Sequence, residues 1–338
     1  MMPLPSRSSC GLLCSGLLSA ICLAPAARVA AQAVNLEPVG VIAEPADVVR
    51  VNGSFAYVAA GPRFTVFDIA NPASPTRKGS LTFPDTIYGM SIVGSVAYLA
   101  NGLRGLAIVD LANADAPFVI GSIKTPGEAL RVVLTGTKAL VVNRLSGVEV
   151  IDVSNPARPV SVGSHYTDGY ARDIAVAGAV AYVVDSTNDL ALLDVSKAPP
   201  TELSRQGAGL TTAIVAVSQP AATSGNGTAY VVGGGALQVY DVSNPAAARR
   251  VASPKIAEQA QAAVFHGSLG YIAAGANGLQ VVDVSDPKAP RIVGSYKTPG
   301  VARDVAVASP LVLVAVAGPK GSSAASTSPA GVYILRQR

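Results

Sequence analysis

One residue type that can do chemistry recurs at a fixed spacing. Asp68, Asp110, Asp152, Asp194, Asp241 and Asp283 are separated by 42, 42, 42, 47 and 42 residues. Carboxylates bind cations and move protons, so six in register invite a catalytic or metal-binding reading. Each, however, ends an apolar phrase and precedes a turn, as in Ile151-Asp152-Val153-Ser154-Asn155-Pro156. A carboxylate at that point accepts hydrogen bonds from backbone N–H groups of the turn, while proline fixes φ. No copy has the alternating acidic spacing of a calcium loop. Six equivalent turns account for six equivalent aspartates, and the reading is structural.

The other reactive types are sparse. There are two histidines, His165 and His266, and they fall in different repeats at different positions, so a shared metal or triad site is not expected. Cys10, Cys14 and Cys22 all precede residue 33, leaving the rest of the chain without thiol chemistry or disulfides. Gly233-Gly234-Gly235 lies between two apolar runs with no helix after it, which suits a tight turn rather than a phosphate cradle. No cofactor and no metal are expected.

The spacing of the aspartates defines a repeat, and the repeat defines the elements. Each unit holds four short apolar runs; in one they span 130–134, 139–142, 148–153 and 160–164. Glycine or Asn-Pro turns separate them, which predicts four strands per unit. The second and third runs show no polar alternation, the mark of strands covered on both faces. Stacked propeller blades or a solenoid would both supply that cover. The chain ends favour a ring. Residues 301–307, 311–316 and 332–335 form three runs of a last unit that lacks its fourth. Leu36–Ile42, with Pro38-Val39-Gly40, matches the fourth-strand phrase Pro117-Phe118-Val119-Ile120-Gly121. Pairing the two ends leaves no open blade and removes an unpaired sheet edge. The expectation is an all-β, seven-bladed β-propeller over residues 34–338, with four antiparallel strands per blade. A transmembrane barrel would need longer, strictly alternating strands with aromatic girdles. The interval of 47 residues contains the Gly/Ser/Ala-rich stretch 218–228, read as a loop insertion, and the Ser/Ala-rich stretch 318–330 reads as a loop as well.

The phrases Leu106-Ala107-Ile108-Val109-Asp110 and Val148-Glu149-Val150-Ile151-Asp152 resemble the LVIVD repeat, a propeller-type repeat of bacterial and archaeal surface proteins. The last copy departs from it, since Gly331-Val332-Tyr333-Ile334-Leu335 is followed by Arg336. The resemblance implies an exported location and repeat-mediated interaction. It brings no catalytic residues.

Residues 1–33 read as a cleaved export signal, giving a secreted, periplasmic or cell-surface protein. Arg7 precedes an apolar stretch over 11–24, and Ala31-Gln32-Ala33 offers a small-x-small cleavage pattern. The stretch is shorter than the ~20 residues that span a bilayer. A lipoprotein anchored at Cys22 is the variant, but Ile21 stands where a small residue is expected. Cleavage removes Arg7 and Arg28, so the net charge of +4 becomes +2. With no clustered cations interleaved with aromatics, nucleic acid is not an expected partner. The mature chain is expected to be a monomer with no transmembrane segment.

Function is then sought on loops at one end of the ring, around the channel mouth. The second-to-third-strand loops carry Arg63, Arg104, Arg144, Asp185, Asn188 and Asn277. The blade connections carry Asp85, Tyr88, Glu128, Arg131, Asp168, Tyr170, Arg172, Asp173, Arg303 and Asp304. Asp47, Asp173 and Asp304 look equivalent at the start of the innermost strand. These residues suit a non-catalytic scaffold that presents loops to a protein, peptide or glycan, with the arginines at 63, 104 and 144 facing an anionic or carbohydrate ligand. The alternatives are a propeller hydrolase or lyase at the channel mouth, and a pure spacer. A carboxylate with a strongly perturbed pKa favours the enzyme.

Overall fold

The computed structural model describes residues 33–187, 189–209, 214–218, 227–256, 258–317 and 330–338. Among them lie seven four-stranded antiparallel sheets, each a blade. Blade I uses Val48–Asn52, Phe55–Ala60, Arg63–Asp68 and Thr76–Thr82. Blades II to VI begin at Gly89, Ala129, Ala171, Ile214 and Ala262 and follow the same up-and-down order. Blade VII takes Val301–Ala308, Leu311–Ala317 and Gly331–Gln337 from the end of the chain and Leu36–Ile42 from its start.

That closure is a full ladder. Leu36 pairs with Gln337 and Ile42 with Val332, with one register shift between Pro38 and Gly40. Arg338 N–H donates to the Asn35 carbonyl at 3.0 Å, and the Arg338 guanidinium meets Glu37 at 2.7 Å.

Burial follows the apolar patterning. In blade III, Ala139, Leu140, Val141 and Val142 are fully buried, while the outer strand Val160–His165 is largely exposed. The core is divided between blades rather than held in one centre. Seven clusters of buried side chains occur, one at each blade-to-blade interface. Val58 and Phe67 of blade I meet Leu313 and Ala315 of blade VII, and Val142 of blade III meets Val183 of blade IV. Middle strands sit between two neighbours, so both faces must be apolar.

The repeated aspartates serve the turns. Asp68, Asp110, Asp152, Asp194, Asp241 and Asp283 each accept, on Oδ1, the N–H two residues on, at 2.7–3.1 Å. Bonds from Ser154 hold the Asp152 carboxyl below its usual range, and bonds from Ser196 and Ser243 do the same for Asp194 and Asp241. For Asp283 burial pushes upward, yet Ser285 and Arg291 together bring it below the ordinary value.

A second recurring residue fits blades together. Fourth-strand glycines face the aspartate turn of the following blade. A Cβ on Gly40, Gly121 or Gly163 would lie 1.7, 2.1 or 2.7 Å from backbone atoms of Pro72, Pro156 or Pro199. The Gly79 N–H donates to the Ala114 carbonyl at 2.8 Å. Blade VII has no such turn, and backbone from the start of the ring takes its place: Val34 N–H donates to the Val293 carbonyl at 2.8 Å beside Gly294. In blade IV the equivalent residue is Ser204, whose hydroxyl donates to the Pro245 carbonyl at 2.5 Å.

Candidate binding site at the channel mouth

The seven inner strands line a central channel with a cavity of about 480 Å³ at the end carrying the blade connections. An inner strand is a sheet edge, and its outward N–H groups need partners. Two aspartates supply them across blade boundaries. Asp173 Oδ2 of blade IV accepts Val215 N–H of blade V at 3.1 Å. Asp304 Oδ2 of blade VII accepts Val49 N–H of blade I at 2.9 Å.

Arginines complete the belt. Arg50 Nη1 lies 2.7 Å from Asp304 Oδ2, and its Nε donates to the Met90 carbonyl of blade II at 3.1 Å. Arg131 Nε of blade III lies 3.3 Å from Asp173 Oδ1, and its Nη1 donates to the Tyr88 carbonyl of blade II. The belt therefore touches every blade except VI. Burial pushes the Asp173 carboxyl above its usual range, and Arg131, the Ile174 and Val215 N–H groups and the Arg50 charge oppose the rise.

The belt corrects two sequence readings. Arg131, Arg172, Asp173, Arg303 and Asp304 lie within inner strands, not in the connections. Asp47 is not equivalent to Asp173 and Asp304. Those two pair with Val184 and Ala315, the positions that in blade I pair with Val48. A bulge between Ala171 and Asp173, between Ala302 and Asp304, and between Ala129 and Arg131 inserts one residue in blades IV, VII and III. The extra residue re-aims the next side chain into the channel. Asp47 instead accepts Gly61 N–H at 3.3 Å.

Arg50 was not singled out from the sequence. It sits inside an apolar strand, where the other described copies have Ser91, Val133, Ala175, Val264 and Ala306, so no periodicity marks it. Arg303 also lines the channel, and its buried Nε has no hydrogen-bond partner. Arg172 forms further interactions of its own.

The arginines at 63, 104 and 144 stay out of the channel lining. Arg63 borders a separate shallow hollow with Glu44 and Pro45. Arg104 is exposed in its loop. Arg144 pairs with Glu128 at 3.0 Å, and burial together with Glu128 raises the Tyr88 phenol above its ordinary pKa. Asp85 caps the N–H groups of Thr86 and Leu103 at 2.7 and 2.9 Å. Asp185 is buried and accepts Thr187 N–H at 3.0 Å, within 3.4 Å of Arg205, which also contacts Asp168. Asn277 N–H closes a turn onto the Ala274 carbonyl. Asn188 lies outside the described residues, as do 1–32 and most of the loops over 218–228 and 318–330. His165 meets Glu202 at 3.4 Å, and His266 ends an inner strand beside Gly267. Gly234 and Gly235, both at positive φ, form a tight turn. Among the described residues no three metal-ligating side chains converge, and no helix is long and apolar enough to cross a membrane.

Comparison with solved structures agrees on the architecture. The β-propeller domain of Cps50 (Swd1) from Myceliophteria thermophila superposes with a TM-score of 0.70 at 10% identity, covering 89% of this chain and 99% of that one. The computationally designed Ika8 protein superposes with a TM-score of 0.62 at 9% identity, covering 86% and 83%. Such identities speak for the fold alone. No curated protein matches the sequence. The LVIVD repeat matches six times, at residues 45–82, 89–125, 126–167, 168–205, 213–252 and 259–298, and on this coverage the chain belongs to the LVIVD-repeat family.

Proposed function

We propose that this protein is an exported, monomeric binding or scaffolding propeller that presents its mouth-face loops to a macromolecular partner. The observation that carries the reading is a division of charge. Inside the channel, Asp173 and Asp304 are tied to Arg131, Arg50 and neighbouring backbone, so they serve blade-to-blade cohesion. On the rim, exposed loops project the large apolar side chains of Leu103, Leu145, Tyr166 and Tyr170. Functional residues concentrate on such loops when a rigid scaffold positions them.

Export is supported by Arg7, the apolar stretch over 11–24 and Ala31-Gln32-Ala33. A channel hydrolase or lyase has one observation in its favour, the raised pKa of Asp173. Its cause is burial, and the carboxylate is already engaged on both oxygens.

The test is chemical crosslinking of the mature protein to its own envelope fraction. Wild type should capture a partner that a variant with Leu103, Tyr166 and Tyr170 changed to serine loses. Capture unaffected by that variant and lost on changing the opposite face would place function elsewhere. Mass spectrometry of the exported protein should show Val34 as its first residue.

A further inference from the structure

Four large apolar side chains stand exposed on the mouth face: Leu103, Leu145, Tyr166 and Tyr170, at 64, 58, 72 and 55% of full accessibility. They belong to one stretch of the rim. The Leu103 loop joins the following connection through Ala129 N–H, which donates to Gly102 O at 2.9 Å. Adjacent Glu128 then pairs with Arg144, next to Leu145. Gly147, at the end of that loop, is so close to the next connection that a Cβ there would lie 3.0 Å from Tyr166 Cα. Tyr170 is fixed by Ser186 through backbone and hydroxyl bonds at 2.9 and 2.8 Å. The loops that carry the four side chains are therefore neighbours along an arc across blades II, III and IV.

The tyrosines are a departure from the repeat. Two other connections read Lys124-Thr125-Pro126-Gly127-Glu128 and Lys297-Thr298-Pro299-Gly300-Val301, and here the chain reads Tyr166-Thr167-Asp168-Gly169-Tyr170. The turn itself is kept, since Thr125, Thr167 and Thr298 each donate Oγ1–H to the glycine carbonyl two residues on. The same turn is held where lysine stands at the Tyr166 position and glutamate or valine at the Tyr170 position, so it does not depend on either tyrosine. Exposed tyrosines on a rigid frame are efficient binding anchors, because little side-chain freedom is lost on contact.

Charge gives the arc a direction. At its blade II end Arg104 and Lys124 are both exposed on neighbouring backbone, since a Cβ on Gly105 would lie 3.0 Å from Lys124 Cα, and neither makes an ion pair among the described residues. Asp85, which accepts the Leu103 N–H beside Arg104, is occupied by backbone N–H groups. At the other end Asp168 lies 3.4 Å from Arg205.

Resting on the binding role proposed above, we infer that the arc is a docking surface for a polypeptide segment with apolar anchors over Leu145, Tyr166 and Tyr170 and carboxylates over Arg104 and Lys124. Sugars stack on aromatic faces but gain little from branched aliphatic side chains, so the two leucines favour a polypeptide.

The probe is a displayed library of random dodecapeptides, selected on the mature protein, with the winners measured by fluorescence anisotropy. Selected sequences should combine acidic and large apolar residues. Tyr166→Ser with Tyr170→Ser, and Arg104→Glu with Lys124→Glu, should each weaken binding about tenfold or more. Added salt should weaken it further. Val93→Ser, exposed on the opposite face, should leave it unchanged. All three variants alter exposed side chains, and an unchanged unfolding midpoint checks that each is folded. Peptides without acidic bias, or binding that survives both arc variants, overturn the inference. Immobilised glycans bound through the tyrosines, with no arc-dependent peptide, overturn the polypeptide occupant and leave the binding role standing. Probes lost only on Val93→Ser sink both.

Discussion

Replacing Gly121 by alanine tests the packing between blades at a single methyl group. Gly121 lies in the outer strand Phe118–Ile123, and its added Cβ would lie 2.1 Å from the Pro156 carbonyl oxygen and 3.1 Å from its carbon. That is at least ~1 Å inside ordinary contact. The obstacle is backbone of a turn anchored by Asp152, so it cannot swing away like a side-chain tip. Overpacking of this kind costs about 1–3 kcal/mol, and the upper end applies when backbone must move. The reduced freedom of the unfolded alanine chain returns ~0.4–1 kcal/mol. The net expectation is a loss of about 2 kcal/mol in urea denaturation of the mature protein. Gly207→Ala is the matched control, since only Asp189 Oδ1 lies near its added Cβ, at 3.9 Å. It should be neutral or slightly stabilising. Equal midpoints for Gly121→Ala and Gly207→Ala would refute the argument that this glycine is there for the neighbouring turn.

Deleting residues 34–43 should open blade VII and lower the unfolding midpoint sharply, read by the same denaturation; a truncated ring as stable as the intact one contradicts the closure. Arg50→Met should cost about 2 kcal/mol, less than the ~3–5 kcal/mol of breaking a fully buried pair, because Arg50 is partly solvated while Asp304 is not. Asp173 has a raised folded pKa, so the native state binds its proton more tightly than the unfolded chain. Its contribution to stability should grow as pH falls toward the ordinary value of 3.8, and Asp173→Asn should remove that component from a stability-versus-pH profile. Asp241 has the opposite sign: its pKa is lowered, so its stabilisation is present above 3.8 and lost as pH falls through the folded value, a loss that Asp241→Asn should not show.

The ring was legible because the same solution is written many times. Six Asp-turn phrases at one period announce the unit, and Leu36–Ile42 matches the missing fourth strand to the residue. The fourth-strand glycines carry the same period, as Gly79, Gly121 and Gly163 stand 42 residues apart. Their role stayed hidden because it is a contact with the next unit, which a repeat read in isolation does not contain. The channel was less legible still. A bulge shifts register by one residue without altering composition, so Asp47 looked equivalent to Asp173 and Asp304 although it stands one residue earlier and bonds to Gly61. Arg50 left no signal, because a charge that occurs once has no period.

This contrast separates residues that build the ring from residues free to act. What recurs, the turn aspartates and the strand glycines, is used up in forming each blade and fitting it to the next. Four channel charges that most blades lack are used up as well, since each of Arg50, Arg131, Asp173 and Asp304 bonds to a neighbouring blade. Tyr166 and Tyr170 differ from the matching connections: their turn is held by Thr167, which two other connections match, and both residues stand exposed. A side chain that breaks the repeat, is not needed for its turn and lies open on the mouth face is where a partner can be bound without disturbing the scaffold.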